Sequence, residues 1–365
     1  MKVVFDCRYT RLVRHDGISR YTAGLVTAFA RLHPVTMLVS DERQLTMLPD
    51  LPWELGPSQT SWREPWSAVA INRLGPDVVY SPMQTIGSAH RRFRLILTIH
   101  DMVFYRTRTP PTGLPWYVRL IWWGFYLTFI PQRMALNRGE AVVTGSFNCE
   151  REMTEARLTR RPVSVIRPGV DRLDLPPRTH DPGAKSLVYM GTFMPNKNVE
   201  TLAEGMRLLP GYRLHLLSRV TDETRARLSA LAPDGALVFE DGVSDERYLE
   251  VLRGATAMVS ACFDEGFGIP LIEALAAATP LVVSDIPVFR EVGGRAATFF
   301  DPTSAHAFAE AVLSMDTPER WNELTALALD QAEEFTWERS ARELLELIET
   351  LPPRRRKWWQ PWRRS

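Results

Sequence analysis

Cysteine is scarce in this sequence, and its few copies are widely spaced. Only three occur in 365 residues, Cys7, Cys149 and Cys262, and none belongs to a Cys-x-x-Cys pair. An odd, sparse set argues against a disulfide framework and favours a reducing compartment. The same spacing leaves no cysteine-based zinc motif. We therefore expect a cytoplasmic protein.

Long apolar runs and an excess of one charge are also lacking. No apolar run reaches the ~20 residues that a membrane-spanning helix needs. The start, MKVVFDCR, leads directly into a strand, so no signal peptide is predicted. The net charge is only +1, which does not suggest a polyanion binder, and 45% hydrophobic with 24% charged residues is ordinary for a globular protein.

Length and patterning predict two α/β domains. A single core rarely grows beyond ~250–300 residues, and this chain has 365. Short apolar runs alternate with helical patterns, which indicates doubly wound parallel sheets, whereas residues 48–63 are predicted to be loop. A stretch rich in proline and charge predicts a linker. The domains are placed at residues 1–175 and 176–335, followed by a helix at 336–350 and a tail at 351–365.

The most informative stretch is a glycine-rich loop that leads into a helix. Gly266 and Gly268 interrupt regular structure just before an apolar helical pattern that begins at Ile269. Free N–H groups and the helix dipole at such a point favour an anion, above all a phosphate. Glu265 stands at the mouth of the loop and Glu273 in the helix, with seven residues between them. On spacing alone, a plain loop and a solvated glutamate remain equally open.

The phrase E-G-F-G-I-P-x-x-E-A, followed by T-P-L-V, resembles the signature of the family-four retaining glycosyltransferases. It matches at Glu265, Gly266, Phe267, Gly268, Ile269, Pro270, Glu273 and Ala274. The resemblance implies the GT-B fold, an α/β architecture in which two Rossmann-like doubly wound parallel-sheet domains face each other across a cleft. It also implies that the two glutamates hold a nucleotide-sugar donor, with Glu265 on the sugar and Glu273 on the ribose.

Two positions of the first domain carry weaker signals. Gly17 begins a helical pattern after the first strand, and His100 ends the strand pattern at residues 95–101, where functional residues of open α/β sheets gather. A plain loop glycine and a structural histidine are the simpler interpretations from spacing. The resemblance favours function. G-I-x-R-Y is a frequent form of the family's phosphate-facing loop, and T-[IV]-H-D resembles its motif beside the transferred sugar.

A second glycine loop lies near the start of the second domain. The phrase G-T-F-M-P-N-K-N at residues 191–198 precedes a helix, and Lys197 there could neutralise phosphate as a point charge. An exposed lysine is the alternative. The phrase resembles the family's G-T-x-x-P-R-K-N, which implicates Thr192 as well. Asn196 stands where the family often has arginine, so Lys197 carries more of the expected charge.

The resemblance thus implies a set of site residues. The expected catalytic residues are His100, Lys197 and Glu265. The expected donor-binding residues are Gly17, Thr192, Val243 (in the turn where the family's nucleobase rests), Gly266, Phe267, Gly268, Ile269 and Glu273. No D-x-D-type pair lies in a convincing loop, so neither a metal nor a cofactor is expected beside the donor itself.

The implied function is transfer of a hexose, with mannose favoured, from a nucleotide-diphosphate sugar to a glycan or lipid-linked acceptor. The reaction would retain the anomeric configuration and serve cell-envelope polysaccharide or glycolipid synthesis. Phrases such as GISRY and SDIPVFREV favour GDP-mannose, and a UDP-sugar stays open. Preorganised positive charge at the departing diphosphate would supply the largest catalytic term.

Other functions stay open from the sequence. A sugar-nucleotide epimerase of the same fold would convert the donor without an acceptor, and a non-catalytic membrane adaptor would bind lipid but no donor. A phosphorylase would need a pyridoxal-lysine phrase, which is not found. A dinucleotide-dependent oxidoreductase is the least favoured of these alternatives, because no G-x-G-x-x-G follows the first strand.

Two aromatic segments bear on membrane contact. Residues 114–131 hold seven aromatics and a single charge, Arg119. A buried helix is their simplest fate, and a helix lying on a membrane is the alternative. The tail at 354–365 has six basic residues among tryptophans and no acid. It suits an anionic membrane at the inner face of the plasma membrane better than nucleic acid, and a disordered solubilising tail is the simpler alternative.

Overall fold

Two parallel sheets organise the chain. The computed structural model describes residues 1–59, 61, 64–106 and 116–352. The chain divides into two compact units. The first contains Met1–Gly145, Cys149–Arg167 and the chain from Trp337 onward, and the second contains Ser146–Asn148 and Pro168–Thr336. The first boundary predicted from the sequence lay at residue 175, inside what the structure assigns to the second unit.

The first unit is built on a seven-stranded sheet with the strand order β3-β2-β1-β4-β5-β6-β7, in which every pairing is parallel. Its strands are β1 Val3–Asp6, β2 Val35–Val39, β3 Trp53–Leu55, β4 Val78–Ser81, β5 Arg94–Ile99, β6 Ala141–Thr144 and β7 Val163–Val165. The helices are α1 Gly17–Ala30, α2 Ser67–Ile71, α3 Val103–Arg106, α4 Trp116–Leu127, α5 Ile130–Leu136 and α6 Phe147–Glu155.

The second unit is built on a six-stranded parallel sheet with the order β10-β9-β8-β11-β12-β13. Its strands are β8 Ser186–Tyr189, β9 Arg213–Leu216, β10 Leu237–Phe239, β11 Ala257–Ser260, β12 Leu281–Ser284 and β13 Ala297–Phe300. Its helices are α7 Val199–Gly205, α8 Asp222–Ser229, α9 Asp245–Gly254, α10 Ile269–Ala276, α11 Pro287–Gly293, α12 Ala305–Met315 and α13 Pro318–Ala332.

Short 3-10 helices occur in both units. In the first they are Glu42–Met47, Glu64–Trp66 and Asn72–Leu74, and in the second they are Pro195–Lys197, Met206–Leu208 and Gly294–Ala296.

Burial explains why these runs are strands. The central strands β1, β4 and β6 of the first sheet, and β11 and β12 of the second, are buried at every position. Strands covered by helices on both faces need continuous apolar runs instead of alternation, which is what the sequence supplies. The prediction of two doubly wound parallel-sheet domains is confirmed.

The edge strand β3 departs from the sequence prediction, which had residues 48–63 as loop. Trp53–Leu55 pairs in parallel with Met37–Val39 of β2, and all three of its residues are exposed. An edge strand is held by backbone hydrogen bonds along one side only, so it needs no apolar pattern. For that reason the pattern gave no sign of it.

The last helix, α14 (Trp337–Thr350), belongs to the first unit and packs along α1. Trp337 lies over Gly24, where an added Cβ would come within 2.2 Å of the indole ring. Ser340 Oγ donates to the Arg167 carbonyl at 2.6 Å, and Arg31 pairs with Glu338 at 2.8 Å. The described residues before 146 and after 336 therefore belong to the same unit.

The membrane-related segments differ in what the structure says of them. Within the described ranges, no helix combines the length and apolar character needed to cross a bilayer. The tail at 354–365 lies outside the described residues, as do residues 114 and 115 of the aromatic segment.

Candidate functional site

Two loops of the second unit meet where neighbouring strands end. One follows β8 and the other follows β11, and these strands are adjacent in the sheet. The Phe263 N–H donates to the Asn196 carbonyl at 2.9 Å, and Asn196 Nδ2 donates to the Asp264 carbonyl at 3.2 Å. The carboxyl edge of a parallel sheet is where ligands bind in doubly wound folds. Both motif-bearing loops therefore occupy this edge.

An ion pair joins the two loops. The ammonium group of Lys197 contacts Glu265 Oε2, across 68 positions of sequence. The two side chains are 17% and 23% exposed, so the pair is shielded from water on most sides while still open to a ligand. Glu265 Oε1 also accepts the Gly266 N–H at 3.3 Å. The structure thus brings two of the three predicted catalytic residues into direct contact.

A buried thiol stands beside this pair. The Sγ of Cys262 lies 3.9 Å from Glu265 Oε2 and 3.2 Å from Ser260 Oγ. Burial raises the pKa of the Cys262 thiol to about 11, although the nearby Lys197 charge opposes that rise. The thiol is therefore neutral near pH 7 and unsuited to act as a nucleophile, because the thiolate is the reactive form.

The glycine loop shapes the start of α10. Gly268 precedes the helix with φ +96°, a left-handed conformation that side chains rarely adopt. Because Gly268 has no side chain, it forms no side-chain cap on the helix. Pro270 lies in the first turn, where its missing N–H costs no intrahelical hydrogen bond. Phe267 packs edge-on against Phe335 at 5.7 Å and is 6% exposed. Its side chain belongs to the core, so a ligand could meet only its backbone.

Glu273 lies one turn beyond Ile269 on the same side of α10. Both positions are partly exposed, whereas Leu271, Ile272 and Ala274 are buried. The helix therefore turns its apolar face into the core, with Ile269 at the edge of that core and Glu273 partly exposed. This places the second glutamate of the phrase on the accessible side of the helix that the glycine loop begins.

Asn198 is a positioning residue that was recognised from the sequence only as part of a motif. It adopts φ +51°, and its Nδ2 donates to the Ala261 and Pro302 carbonyls at 3.1 and 2.7 Å. Its Oδ1 accepts a hydrogen bond from Thr201 at 3.0 Å. One buried amide thus ties the loop that carries Lys197 to the ends of β11 and β13. Contacts between residues so far apart in the chain leave no local pattern in the sequence.

The other predicted donor-binding positions of this unit also follow strands. Thr192 is exposed, and its carbonyl accepts the Tyr189 hydroxyl at 2.6 Å. Val243 follows Gly242, a residue with φ +94° whose N–H donates to the Leu217 carbonyl at 2.9 Å. Val243 is partly buried against the core that includes Phe267. Both turns are therefore anchored by the backbone.

The first unit carries the other two predicted positions. His100 Nε2 bonds the Pro82 carbonyl at 2.7 Å, and its ring meets Tyr21 edge-on at 5.2 Å. Gly17 is the exposed first residue of α1, after Asp16, whose carboxylate caps the helix by accepting the Ser19 N–H at 2.9 Å. His100 and the start of α1 are thus linked through Tyr21.

The electrostatics of His100 favour a neutral ring. Burial lowers its pKa below the usual value, while the bond to Pro82 and the charge of Asp16 partly oppose this. A carbonyl can only accept, so Nε2 carries the proton. Nδ1 is then an acceptor, suited to a hydroxyl group. Among the described residues, no group of three or more His, Cys, Asp or Glu is arranged to hold a metal.

Models of two known protein families together match most of the chain. The model for Glycosyltransferase Family 4 matches residues 15–172, and the model for Glycosyl transferases group 1 matches residues 173–323. The two matches adjoin and together span both units.

Relatives of known activity include mannosyltransferases. O-antigen chain mannosyltransferase B of Escherichia coli is 30% identical over 171 residues, which are 41% of this chain and 42% of that protein. O-antigen chain mannosyltransferase RfbU of Salmonella typhimurium is 26% identical over 227 residues, 60% of each chain. The chain thus spans about half the length of the curated relatives it matches.

Solved structures show the same fold. Sucrose-phosphate synthase from Thermosynechococcus elongatus matches with a TM-score of 0.73 at 17% identity, covering 96% of this chain and 98% of that one. Anabaena Alr3699/HepE, solved in complex with UDP-glucose, matches with a TM-score of 0.72 at 14% identity, covering 96% and 100%.

Proposed function

Because this chain belongs to the glycosyl transferases group 1 family, with a Glycosyltransferase Family 4 first half, we propose that it transfers a hexose, preferably mannose. The donor is a nucleotide-diphosphate sugar and the acceptor a glycan or a lipid-linked saccharide of a cell-envelope polysaccharide or glycolipid. The observation that carries the proposal is the Lys197–Glu265 contact beside the glycine loop. It places a cation and a carboxylate at one ligand-accessible edge.

The diphosphate is proposed to bind at this edge. Lys197 is already oriented by Glu265, so it can turn its charge toward a phosphate without first being ordered. The first turn of α10 adds free N–H groups and the positive end of the helix dipole. As the sugar leaves, negative charge grows on the diphosphate, and these groups stabilise it more than they stabilise the intact donor.

The sugar and nucleoside have proposed partners as well. Glu265 binds sugar hydroxyls and favours positive charge at the reacting carbon, while Glu273 binds the ribose. Neutral His100 accepts a sugar hydroxyl at Nδ1. The base rests against the backbone near Val243, and Gly17, Thr192 and the 266–269 loop complete the donor contacts.

The proposed reaction retains the configuration of the anomeric carbon without a covalent intermediate. The bond from that carbon to the diphosphate oxygen breaks as a bond to the acceptor hydroxyl oxygen forms, and the hydroxyl proton leaves with the diphosphate. The buried thiol of Cys262 supplies no nucleophile, since its pKa is raised to about 11. No cofactor takes part, and positive charge from Lys197 and α10 serves where a metal would otherwise be needed.

The identity of the donor is proposed from two kinds of relative. Mannosyltransferases are among the similar sequences, which favours GDP-mannose, whereas HepE was solved with UDP and with UDP-glucose. Ligand binding raises the melting temperature by mass action. A panel of nucleotide sugars is therefore expected to give its largest thermal shift with GDP-mannose.

Our first prediction concerns the ion pair. Lys197→Ala or Glu265→Gln should lower transfer at least ~100-fold, because each removes a charge needed as the diphosphate leaves, while the far-ultraviolet spectrum stays unchanged. The assay follows transfer of labelled hexose, with EDTA present to exclude a divalent ion. Lys185→Ala, a lysine at the amino end of β8, is the matched control and should keep full activity.

Near-normal transfer by both site variants would refute the proposed roles. The same assay separates the alternatives. An epimerase would convert the donor with no acceptor present, and a membrane adaptor would show no donor-dependent thermal shift in any variant.

A membrane surface is proposed to present the acceptor to the first unit. Six large apolar side chains repeat every three or four residues along α4 and α5 and are exposed to water. They are Trp116, Leu120, Trp123, Leu127, Ile130 and Met134. The opposite side of α4 packs by Trp122 and Tyr126 against Phe104, with centroids 5.2 and 5.5 Å away. The buried-helix interpretation of this segment is therefore wrong for its outer face.

Charge near this apolar stripe favours an anionic bilayer. Residues 102–139 contain five arginines and no acid. Arg133 extends from α5 to the Ala156 carbonyl at 2.6 Å, and the exposed Arg160 and Arg161 donate to Asn137, directly after α5, at 2.9 and 2.7 Å. Apolar insertion together with basic residues is the usual basis of peripheral binding. We propose that the protein acts in the cytoplasm, at the inner face of the plasma membrane, and we propose no nucleic-acid partner.

Our second prediction tests this stripe. The double variant Leu120→Gln, Trp123→Gln should co-sediment at least ~5-fold less with vesicles of phosphatidylglycerol and phosphatidylcholine, because it removes apolar area from the interface. Leu313→Gln, an equally exposed leucine on α12 of the second unit, is the control. Equal sedimentation of both variants and the wild type would exclude the stripe as the membrane contact.

A further inference from the structure

A polar cavity of about 210 Å³ lies in the second unit, away from the loops described above. Its lining includes Arg178, Arg253, Ala255, Thr256 and Trp321. Ala255 and Thr256 directly precede β11, whereas the Glu265 loop follows that strand. The cavity is therefore at the amino edge of the sheet, ~13 Å from the carboxyl edge along a four-residue strand.

Two guanidinium groups face this cavity, and neither forms an ion pair within the described residues; the one carboxylate of the lining, Asp181, accepts the Gly183 N–H at 2.8 Å. Arg178 donates to the Ala255 carbonyl at 2.6 Å, and to the Ala278 carbonyl and Thr279 Oγ1 at 3.0 and 2.8 Å. Arg253 donates through Nη2 to the Pro176 carbonyl at 2.8 Å. Every one of these acceptors is uncharged. Two positive charges thus share a small, partly enclosed space.

One N–H donor group of these two arginines has no acceptor. The Nη1 group of Arg253 is buried and has no hydrogen-bond partner among the described residues. Buried donors are nearly always paired in folded proteins, so an orphaned charged one indicates a missing acceptor. Burial, and next the charge of Arg253, lower the pKa of Arg178 to about 10, so the charged form of Arg178 is disfavoured in this cavity. A bound anion would relieve both penalties.

The geometry points to a second ligand site, distinct from the donor site: we propose that the Arg178–Arg253 cavity binds a phosphate group of a small soluble molecule. Two guanidiniums with planar N–H forks match the tetrahedral oxygens of phosphate. Asp181 at the cavity rim is exposed and can accept a hydroxyl from the rest of the ligand. Arg178 stacks over the Trp321 ring at 5.0 Å, which holds its guanidinium in place.

Inorganic phosphate is the probe, and binding is measured by titration calorimetry on the full chain in buffer free of phosphate and sulfate. The wild type should bind saturably. Arg253→Gln, which removes the unpaired donor and only one backbone hydrogen bond, should bind at least tenfold more weakly. Arg207→Gln is the matched control, since Arg207 is exposed and also donates to one backbone carbonyl, that of Ala230. It should bind as the wild type does.

The donor site must be separated from this cavity, because it too is expected to attract phosphate. Lys197→Ala should retain the binding measured here. Loss of binding in Lys197→Ala together with retention in Arg253→Gln would overturn the proposal, as would the absence of saturable binding to the wild type. Transfer activity does not enter either result, so the outcome is independent of the proposed reaction.

Thermal melting distinguishes a ligand site from a purely structural arginine. Without phosphate, Arg253→Gln should melt at or above the wild-type temperature, since it relieves repulsion of Arg178. With phosphate, the wild type should gain several degrees and the variant should not. A variant that melts lower in both conditions, with an unchanged phosphate effect, contradicts the proposal. Arg253-dependent binding to phosphatidic acid vesicles without binding of free phosphate would contradict a soluble ligand.

Discussion

At the scale of single residues, His100 has the most distinctive electrostatic state in the first unit. Its ring is partly buried, hydrogen-bonded to the Pro82 carbonyl and held neutral by its depressed pKa. A neutral imidazole can accept a sugar hydroxyl, whereas a protonated one would present only donors. The proposed contact with the sugar therefore depends on the same burial that lowers the pKa.

Our third prediction is a pH dependence of stability that His100 causes. In the unfolded chain its pKa is ~6.5, and in the folded protein it is lower. The unfolded state therefore binds more protons below pH 6.5. The stabilisation is complete above that pH and is lost as the pH falls toward the folded value. His100→Gln should flatten the acid side of the urea-unfolding free energy between pH 6.5 and 5.

His90, which is exposed on the same unit, provides the control for this measurement. His90→Gln replaces a histidine at an exposed position, and the acid slopes of the two variants are compared to isolate the effect of the His100 surroundings. If His100→Gln keeps the full wild-type slope, the loss of stability in acid belongs to other groups.

Residue identity allowed much of the candidate site to be proposed from sequence, but not its internal contacts. The phrases around Lys197 and Glu265 could be recognised separately. Their contact could not, because it depends on β8 and β11 being neighbours in the sheet. Phe267 was grouped with the donor-binding residues, yet its side chain packs against Phe335. A motif letter does not say whether the side chain or the backbone serves the ligand.

At the scale of elements, the packing of α14 on α1 depends on the absence of one side chain. Gly24 is in the middle of α1, where alanine would normally stabilise a helix by ~0.5–1 kcal/mol. Here a Cβ would lie 2.2 Å from the Trp337 ring, closer than any real contact. The clash outweighs the gain in helix propensity, because the indole is 5% exposed and enclosed by its neighbours. Alanine at position 24 should therefore lower stability.

Our fourth prediction follows from this contact. Gly24→Ala should destabilise the first unit by ~1–3 kcal/mol, the usual cost of overpacking a core, in a urea-unfolding measurement. The double variant Gly24→Ala, Trp337→Leu should recover part of that loss, since the smaller side chain leaves room for the methyl group. A Gly24→Ala variant as stable as the wild type would show that α14 shifts freely on α1.

The elements that could be predicted from the sequence and those that could not are stabilised by different interactions. Buried strands such as β4 and β12 have apolar runs that can be recognised without any partner. The edge strand β3 exists only because β2 offers its backbone, and its exposed residues carry no pattern. The outer face of α4 is a further case. Its sequence is apolar enough for a core helix, and only packing shows which side is covered.

At the scale of the whole molecule, the first unit is assembled from both ends of the chain. Our fifth prediction is that a chain ending at residue 336 loses protection from hydrogen exchange in α1 by at least ~10-fold relative to a chain ending at 352. The reason is that α1 loses the buried Trp337, Ala341 and Leu344. Strands β8 and β11 should stay protected in both chains. Unchanged protection of α1 would refute the importance of α14 to this unit.

This arrangement also sets an order of events during synthesis on the ribosome. The second unit is almost continuous from Pro168 to Thr336, so it can fold once that segment has emerged. The first unit emerges earlier but must wait for α14, which is translated after every strand. Until then the surface of α1 around Gly24 stays uncovered and is open to chaperones, so of the two units the one whose strands emerge earlier is completed later.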